Sequence, residues 1–227
     1  MYKNIKILIL TSAEEQYLKG IFQLADKDKK SVSTNAIAHH LSTSPASVTD
    51  MLKKLEQKEL IHYKKYFGVS LTQSGSKAAI AVLRRQRLWN TFLMAKLRFG
   101  WHQVLNISDE LEHIHSDELI NRLDAFLDYP KFDPFGDPVP NTEARLTIRQ
   151  QLPLLDMQVG QNCVLLGVRE HDPEFLKHLT NIHIKLGCTI HVSRKSTFDH
   201  TMQIIIENRY DEIISEKVAQ LILVKQI

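Results

Sequence analysis

Residues 44–71 read SPASVTDMLKKLEQKELIHYKKYFGVSL. Ser44 suits a helix N-cap, and Pro45 suits the first helical position, where a missing N–H costs nothing. Val48, Met51, Leu52 and Leu55 then recur at helical spacing, which predicts a helix over about 45–58 with one apolar stripe. From Leu60 to Leu71 two short β-like runs flank a polar tip and the second carries Gly68, the pattern of a hairpin. Upstream, residues 42–45 form a tight turn, and 34–41 reads as a short helix capped by Ser33 or Thr34. Further back, Thr11 or Ser12 caps a helix reaching Ala25. Glu14 and Glu15 occupy its first turn, where the helix dipole favours them. Leu18, Ile21, Phe22 and Ala25 form its apolar stripe. A charged turn, 26–30, follows it. Helix, short helix, turn, helix and hairpin is the order of a winged helix-turn-helix.

That order points to double-stranded DNA as a partner. The third helix opens with Ser44, Pro45, Ala46, Ser47, Thr49 and Asp50, small or hydrogen-bonding residues where a recognition helix meets base edges. Lys53 and Lys54 lie a turn further on, at phosphate reach. Lys64, Lys65 and Tyr66 sit at the hairpin tip, as in a wing gripping backbone phosphates. Charge agrees in sign. Residues 1–72 carry 11 Lys against 7 Asp and Glu, whereas the whole chain is only +3. A lysine-bearing solvated face would look the same on charge alone.

Beyond the hairpin, 72–98 reads as a long helix, 101–114 as another, and Ser116 caps a third carrying Leu119, Leu123, Phe126 and Leu127. Their apolar faces exceed what the small N-terminal unit can cover. A homodimer is therefore expected, and a two-fold dimer matches a palindromic operator. Five of the 7 prolines fall in 130–153, which reads as a linker. After it, Val159, 163–168, 182–186, 189–192 and 202–206 read as strands and 172–181 as a helix, the makings of a small β-barrel. The expected divisions are 1–72, 73–140, a linker at 141–155 and 156–227. With the linker as a tether, residues 1–140 are expected to fold and dimerise alone.

Composition excludes other classes. Hydrophobic residues make up 43% and no apolar run nears the ~18 residues that cross a bilayer. The apolar stretch from Ile5 to Leu10 is broken by Lys6, so no signal core is expected. No membrane partner and a cytoplasmic location are expected. Cys163 and Cys188 show no zinc-type spacing and no disulfide framework. An enzyme is not expected: there is no HExxH helix, and His113 and His115 stand two apart.

Asp109, Glu112 and His113 stand at i, i+3 and i+4, on one face of a helix. Two carboxylates and an imidazole suit a divalent cation. By spacing alone, a solvated charged face fits equally.

Six fragments in order resemble the diphtheria-toxin-repressor/manganese-regulator (DtxR/MntR) family: AEEQYLK at 13–19, SPASVTDML at 44–52, GVSLT at 68–72, RLW at 87–89, LEHIHSDEL at 111–119 and FDPFGDP at 132–138. The resemblance covers essentially the whole chain. It implies a mainly α protein with a small β domain: a winged helix-turn-helix, a helical dimerisation domain and a C-terminal Src-homology-3-like barrel of the FeoA type. It also implies a metal-dependent repressor of metal-uptake genes, with Mn²⁺ or Fe²⁺ as cofactor. Glu112 and His113 match the family's characteristic ligand pair. Asp109 stands where members carry Cys or Glu, and Gln16 where the first helix donates Met, Asp or Asn. With no sulfur in this set, hard donors favour Mn²⁺ over Fe²⁺. His171 and Glu174 match two ligands that the barrel supplies to a second site. Other positions depart from the family. Lys19 replaces a Glu, Gln86 a common His, Asn90 a common Glu, and Leu105 the His of iron sensors. These departures support the alternative, a winged-helix regulator with weak or no metal response, or one answering another effector.

Overall fold

The computed structural model describes residues 10–25, 31–64 and 67–227. The turn expected at 26–30, most of the Ile5–Leu10 stretch, and Lys65 and Tyr66 of the wing lie outside the described residues. The chain divides into two compact units, residues 1–85 with 142–144, and residues 86–141 with 145–227.

In the first unit, α1 (Ser12–Leu24) starts at Thr11 with a capping box. The Glu14 N–H donates to Thr11 Oγ1, and the Thr11 N–H donates to Glu14 Oε2. α2 (Thr34–His40) is capped by Ser33 and α3 (Pro45–Gln57) by Ser44. β1 (Ile61–Lys64) pairs antiparallel with β2 (Gly68–Leu71), Ile61 facing Leu71. Val32 and Val69 exchange both backbone hydrogen bonds at 2.8 and 2.9 Å, which adds a short third edge to the hairpin. Gly68 permits this: its φ is +96°, and a Cβ there would lie 2.6 Å from the Val32 carbonyl oxygen. The apolar stripes of the three helices meet around Leu18, Ile21, Ile37, Val48, Leu52 and Leu55, all fully buried. Two ion pairs close the rim, Lys58 with Glu14 and Arg85 with Glu15, each at 2.6 Å. Burial alone would raise the Glu14 carboxyl, but the Lys58 and Thr11 hydrogen bonds outweigh it and hold it below the usual range. α4 (Gln73–Ala95) begins in this unit and ends in the next.

In the second unit follow α5 (Trp101–Leu111), α6 (Asp117–Phe126), β3 (Leu152–Pro153), a 3₁₀ turn at 154–156, β4 (Asn162–Val168), α7 (Pro173–Asn181), β5 (Thr189–Lys195), β6 (Met202–Ile206), β7 (Tyr210–Ile214), α8 (Glu216–Leu221) and β8 (Ile222–Gln226). The six strands form an antiparallel, Src-homology-3-like sheet in the order β3-β8-β4-β5-β6-β7. Its core is shared. Leu93 of α4, Trp101 and Val104 of α5, and Phe135 pack with Leu165, Leu176, Ile190, Ile204 and Val224 in one apolar cluster.

Three expectations are corrected. Val159 and 182–186 are not strands. Val159 sits in a turn before Gly160, and Ile182 caps the end of α7 with His183 at φ +63°, so the β-branched run is spent leaving a helix. The proline-rich segment is not a free tether. Asp133 Oδ1 accepts the N–H groups of Phe135 and Asp137, and Arg149 donates to the carbonyls of Gly136 and Leu166. At Gly136 and Gly167 the segment meets β4 backbone to backbone. A Cβ on Gly136 would lie 2.5 Å from the Gly167 Cα, and one on Gly167 would lie 2.9 Å from the Gly136 Cα.

Candidate nucleic-acid interface and metal centre

The sequence places α3 by its N-cap and packs it by Val48, Leu52 and Leu55. That packing leaves Ser44, Pro45, Ala46, Ser47 and Asp50 exposed and Thr49 half-buried at one end. Ser44 Oγ accepts from the Ser47 N–H at 3.1 Å, and the two hydroxyls lie 2.9 Å apart. The Thr49 hydroxyl donates to the Pro45 carbonyl at 2.9 Å, so its hydrogen is committed and its lone pairs face outward chemistry as acceptors. Lys53 pairs with Asp50 at 3.2 Å, and Lys54 is exposed beside it. In the wing, the Lys64 ammonium lies 4.4 Å from the centre of the Phe67 ring. Cations, hydroxyls and one carboxylate on a single exposed helix face can read bases and hold phosphates.

At the far end of α5, Asp109 is half-buried, Glu112 is fully buried and His113 Nε2 lies 3.8 Å from Glu112 Oε1. Gln86 of α4 reaches this corner, and its Nε2 donates to Asp109 Oδ1 at 2.5 Å. Gln16 is half-buried on α1 and Lys19 is buried on the same helix. Among the described residues, no three His, Cys, Asp or Glu side chains are drawn into a group that would hold an ion as they stand. The donor set of two carboxylates, an imidazole and an amide fits a hard divalent cation by its chemistry.

His171 and Glu174 flank Pro173 at the start of α7. His171 Nε2 lies 3.7 Å from Asp137 Oδ2, and its ring lies 4.9 Å from that of Phe135. Glu174 is exposed. Sequence reasoning gave no role to the polar residues around them. Asn90 donates to the buried Asp133 at 3.0 Å, while Arg87 lies 3.6 Å from Asp137 and donates to the Pro138 carbonyl at 2.6 Å. Burial, then Asp137 nearby, pushes the Asp133 carboxyl up to about 7 against the pull of Arg87 and Asn90. The one signal that could have found this cluster is two acids spaced by Pro and Gly in FDPFGDP, a spacing that suits a turn closed by side-chain acceptors.

A winged helix-turn-helix followed by a helical region and a small antiparallel sheet defines a class of DNA-binding regulator. Three family models match in the same order: the iron dependent repressor N-terminal DNA binding domain over 9–69, its metal binding and dimerisation domain over 72–141, and the FeoA domain over 152–226. The chain belongs to this iron-dependent repressor (DtxR/MntR) family. It is 26% identical to the diphtheria toxin repressor of Corynebacterium glutamicum, over 81% of this chain and 84% of that one. It is 29% identical to an uncharacterized HTH-type transcriptional regulator of Methanocaldococcus jannaschii, over 52% of this chain and 95% of that one. Among solved structures it resembles a manganese-dependent transcriptional repressor in complex with manganese. That match has a TM-score of 0.83 and 29% identity, covering 94% of this chain and all of that one. The manganese regulator SloR matches with a TM-score of 0.74 and 28% identity, over 96% of this chain and 100% of that one.

Proposed function

We propose that this chain is a metal-dependent transcriptional repressor that binds a palindromic double-stranded operator as a homodimer in the cytoplasm, with Mn²⁺ rather than Fe²⁺ as its activating ion. No helix among the described residues is long and apolar enough to cross a membrane. The observation that carries the metal reading is the corner at the end of α5, where a fully buried Glu112 carboxylate and the His113 imidazole stand one turn from Asp109. Carboxylate oxygens buried together suit a hard divalent ion. Gln16 is proposed as the fourth donor on the strength of the family resemblance, and His171 with Glu174 as a second, weaker site on the same ground. The ion supplies two positive charges among the acidic side chains. It acts by favouring the DNA-competent state, since a ligand shifts an equilibrium only through a state it binds more tightly.

The test is operator affinity against Mn²⁺, Fe²⁺ and Zn²⁺ concentration. Glu112→Ala and His113→Ala are expected to abolish metal-stimulated binding with fold and dimer intact, and Gln16→Ala to weaken it less, because an amide is the poorest ligand of the set. Unchanged metal dependence in the first two variants would overturn the reading. It would favour the second one, a winged-helix regulator with little metal response. That reading draws support from Gln86 and Asn90, whose amides are spent on hydrogen bonds to Asp109 and Asp133.

A further inference from the structure

We infer that Gln86 is a positioning residue of the metal centre, orienting the Asp109 carboxylate for the ion without neutralising it. The inference rests on the reading of Asp109, Glu112 and His113 as ligands. Gln86 is half-buried on α4, 23 residues before Asp109 in sequence, and both belong to the same compact unit. A carboxylate accepts and does not donate, so the contacting atom of Gln86 is assigned by chemistry as the amide nitrogen. That hydrogen bond holds one carboxylate oxygen and fixes the plane of the group. Left unheld, an aspartate half-exposed at a helix end samples several rotamers, and metal binding must then bear the entropy of selecting one. A neutral donor is the right chemistry for this role. A lysine would hold the carboxylate as well, but its charge would compete with the ion for the same oxygens. Partners of this kind, one bond removed from a metal, change affinity about 10–100-fold when removed.

The experiment titrates the full-length apo protein with MnCl₂ alone, following free Mn²⁺ by its electron paramagnetic resonance signal. Wild type, Gln86→Met, Gln86→Lys and Glu112→Ala are compared, with thermal melts of each apo protein. Gln86→Met keeps length and helix propensity but removes the donor, and is expected to bind Mn²⁺ about 10–100-fold more weakly. Gln86→Lys restores a donor and is expected to melt no lower than wild type, yet to bind Mn²⁺ at least as weakly as Gln86→Met. A bond that serves only the fold would do the opposite: the melts would move, Mn²⁺ affinity would not, and lysine would rescue. Unchanged affinity in Gln86→Met overturns the positioning role. If Glu112→Ala binds Mn²⁺ as tightly as wild type, the site itself is misassigned, a failure told apart from the first by that variant.

Discussion

Asp133 is the residue whose chemistry departs furthest from its sequence surroundings. Its folded carboxyl titrates near 7, while an unfolded aspartate loses its proton near 3.8. Between those values the folded chain binds more protons than the unfolded one. The contribution of Asp133 to stability is therefore complete below about 4 and declines as pH rises toward 7. Urea midpoints measured from pH 4 to pH 8 are expected to fall across that window in wild type, and to fall less in Asp133→Asn, which is neutral throughout. Parallel curves would contradict the assignment. The α3 residues behave differently, since their roles follow from exposed chemistry. Lys54→Ala is expected to weaken binding to every DNA sequence and lower the salt slope by about 0.9. Thr49→Ala should relax discrimination between operators at unchanged slope. Both follow from affinity measured over a salt series. Ser47, Thr49 and Lys54 could be read from the sequence because capping and periodicity alone say which side of a helix faces out. Asp133 could not, because its state depends on Asn90, Arg87 and Asp137 arriving from elsewhere in the chain.

Helices were readable where a cap and a stripe coincide. Ser33, Ser44 and Ser116 each accept the backbone N–H three residues on, and each marks its helix start within a residue. Losing the Ser44 cap is expected to cost about 1 kcal/mol. It would also loosen the segment that meets DNA, so Ser44→Ala should lower the melting midpoint and operator affinity together. The end of the chain was harder to read. α8 is six residues long and runs into β8 without a turn residue between them, so no punctuation separates helix from strand. Residues 182–186 carry apolar β-branched side chains, yet Ile182 serves as the C-cap of α7 and Ile184 is buried with the sheet core. Local preference there is overridden by what the preceding helix needs in order to stop.

The molecule is built as two units rather than three, and the second joins helices to sheet through one core. A fragment ending at residue 140 would keep Trp101, Val104 and Phe135 but strip away the strands and α7 residues that bury them. At roughly 1.5–3 kcal/mol for each large apolar side chain exposed, the loss exceeds what a small domain can spare. The 1–140 fragment is expected to aggregate, or to lack fixed aromatic environments in near-ultraviolet circular dichroism. A monodisperse dimer with native spectra would show the helical part to be self-sufficient.

Where Phe135-Gly136 crosses Leu166-Gly167, each glycine occupies the space a side chain on the other would need. Neither position has anything smaller to change to, so a mutation at one finds no compensating mutation at the other, and the two are bound to persist as a pair. The contact also has no half-open form, because separating the crossing breaks the Val168 N–H bond to the Phe135 carbonyl at the same moment. The Val168 amide proton should therefore exchange with solvent no faster than the most protected amides of β4, the exchange of a bond that opens only when the whole unit does.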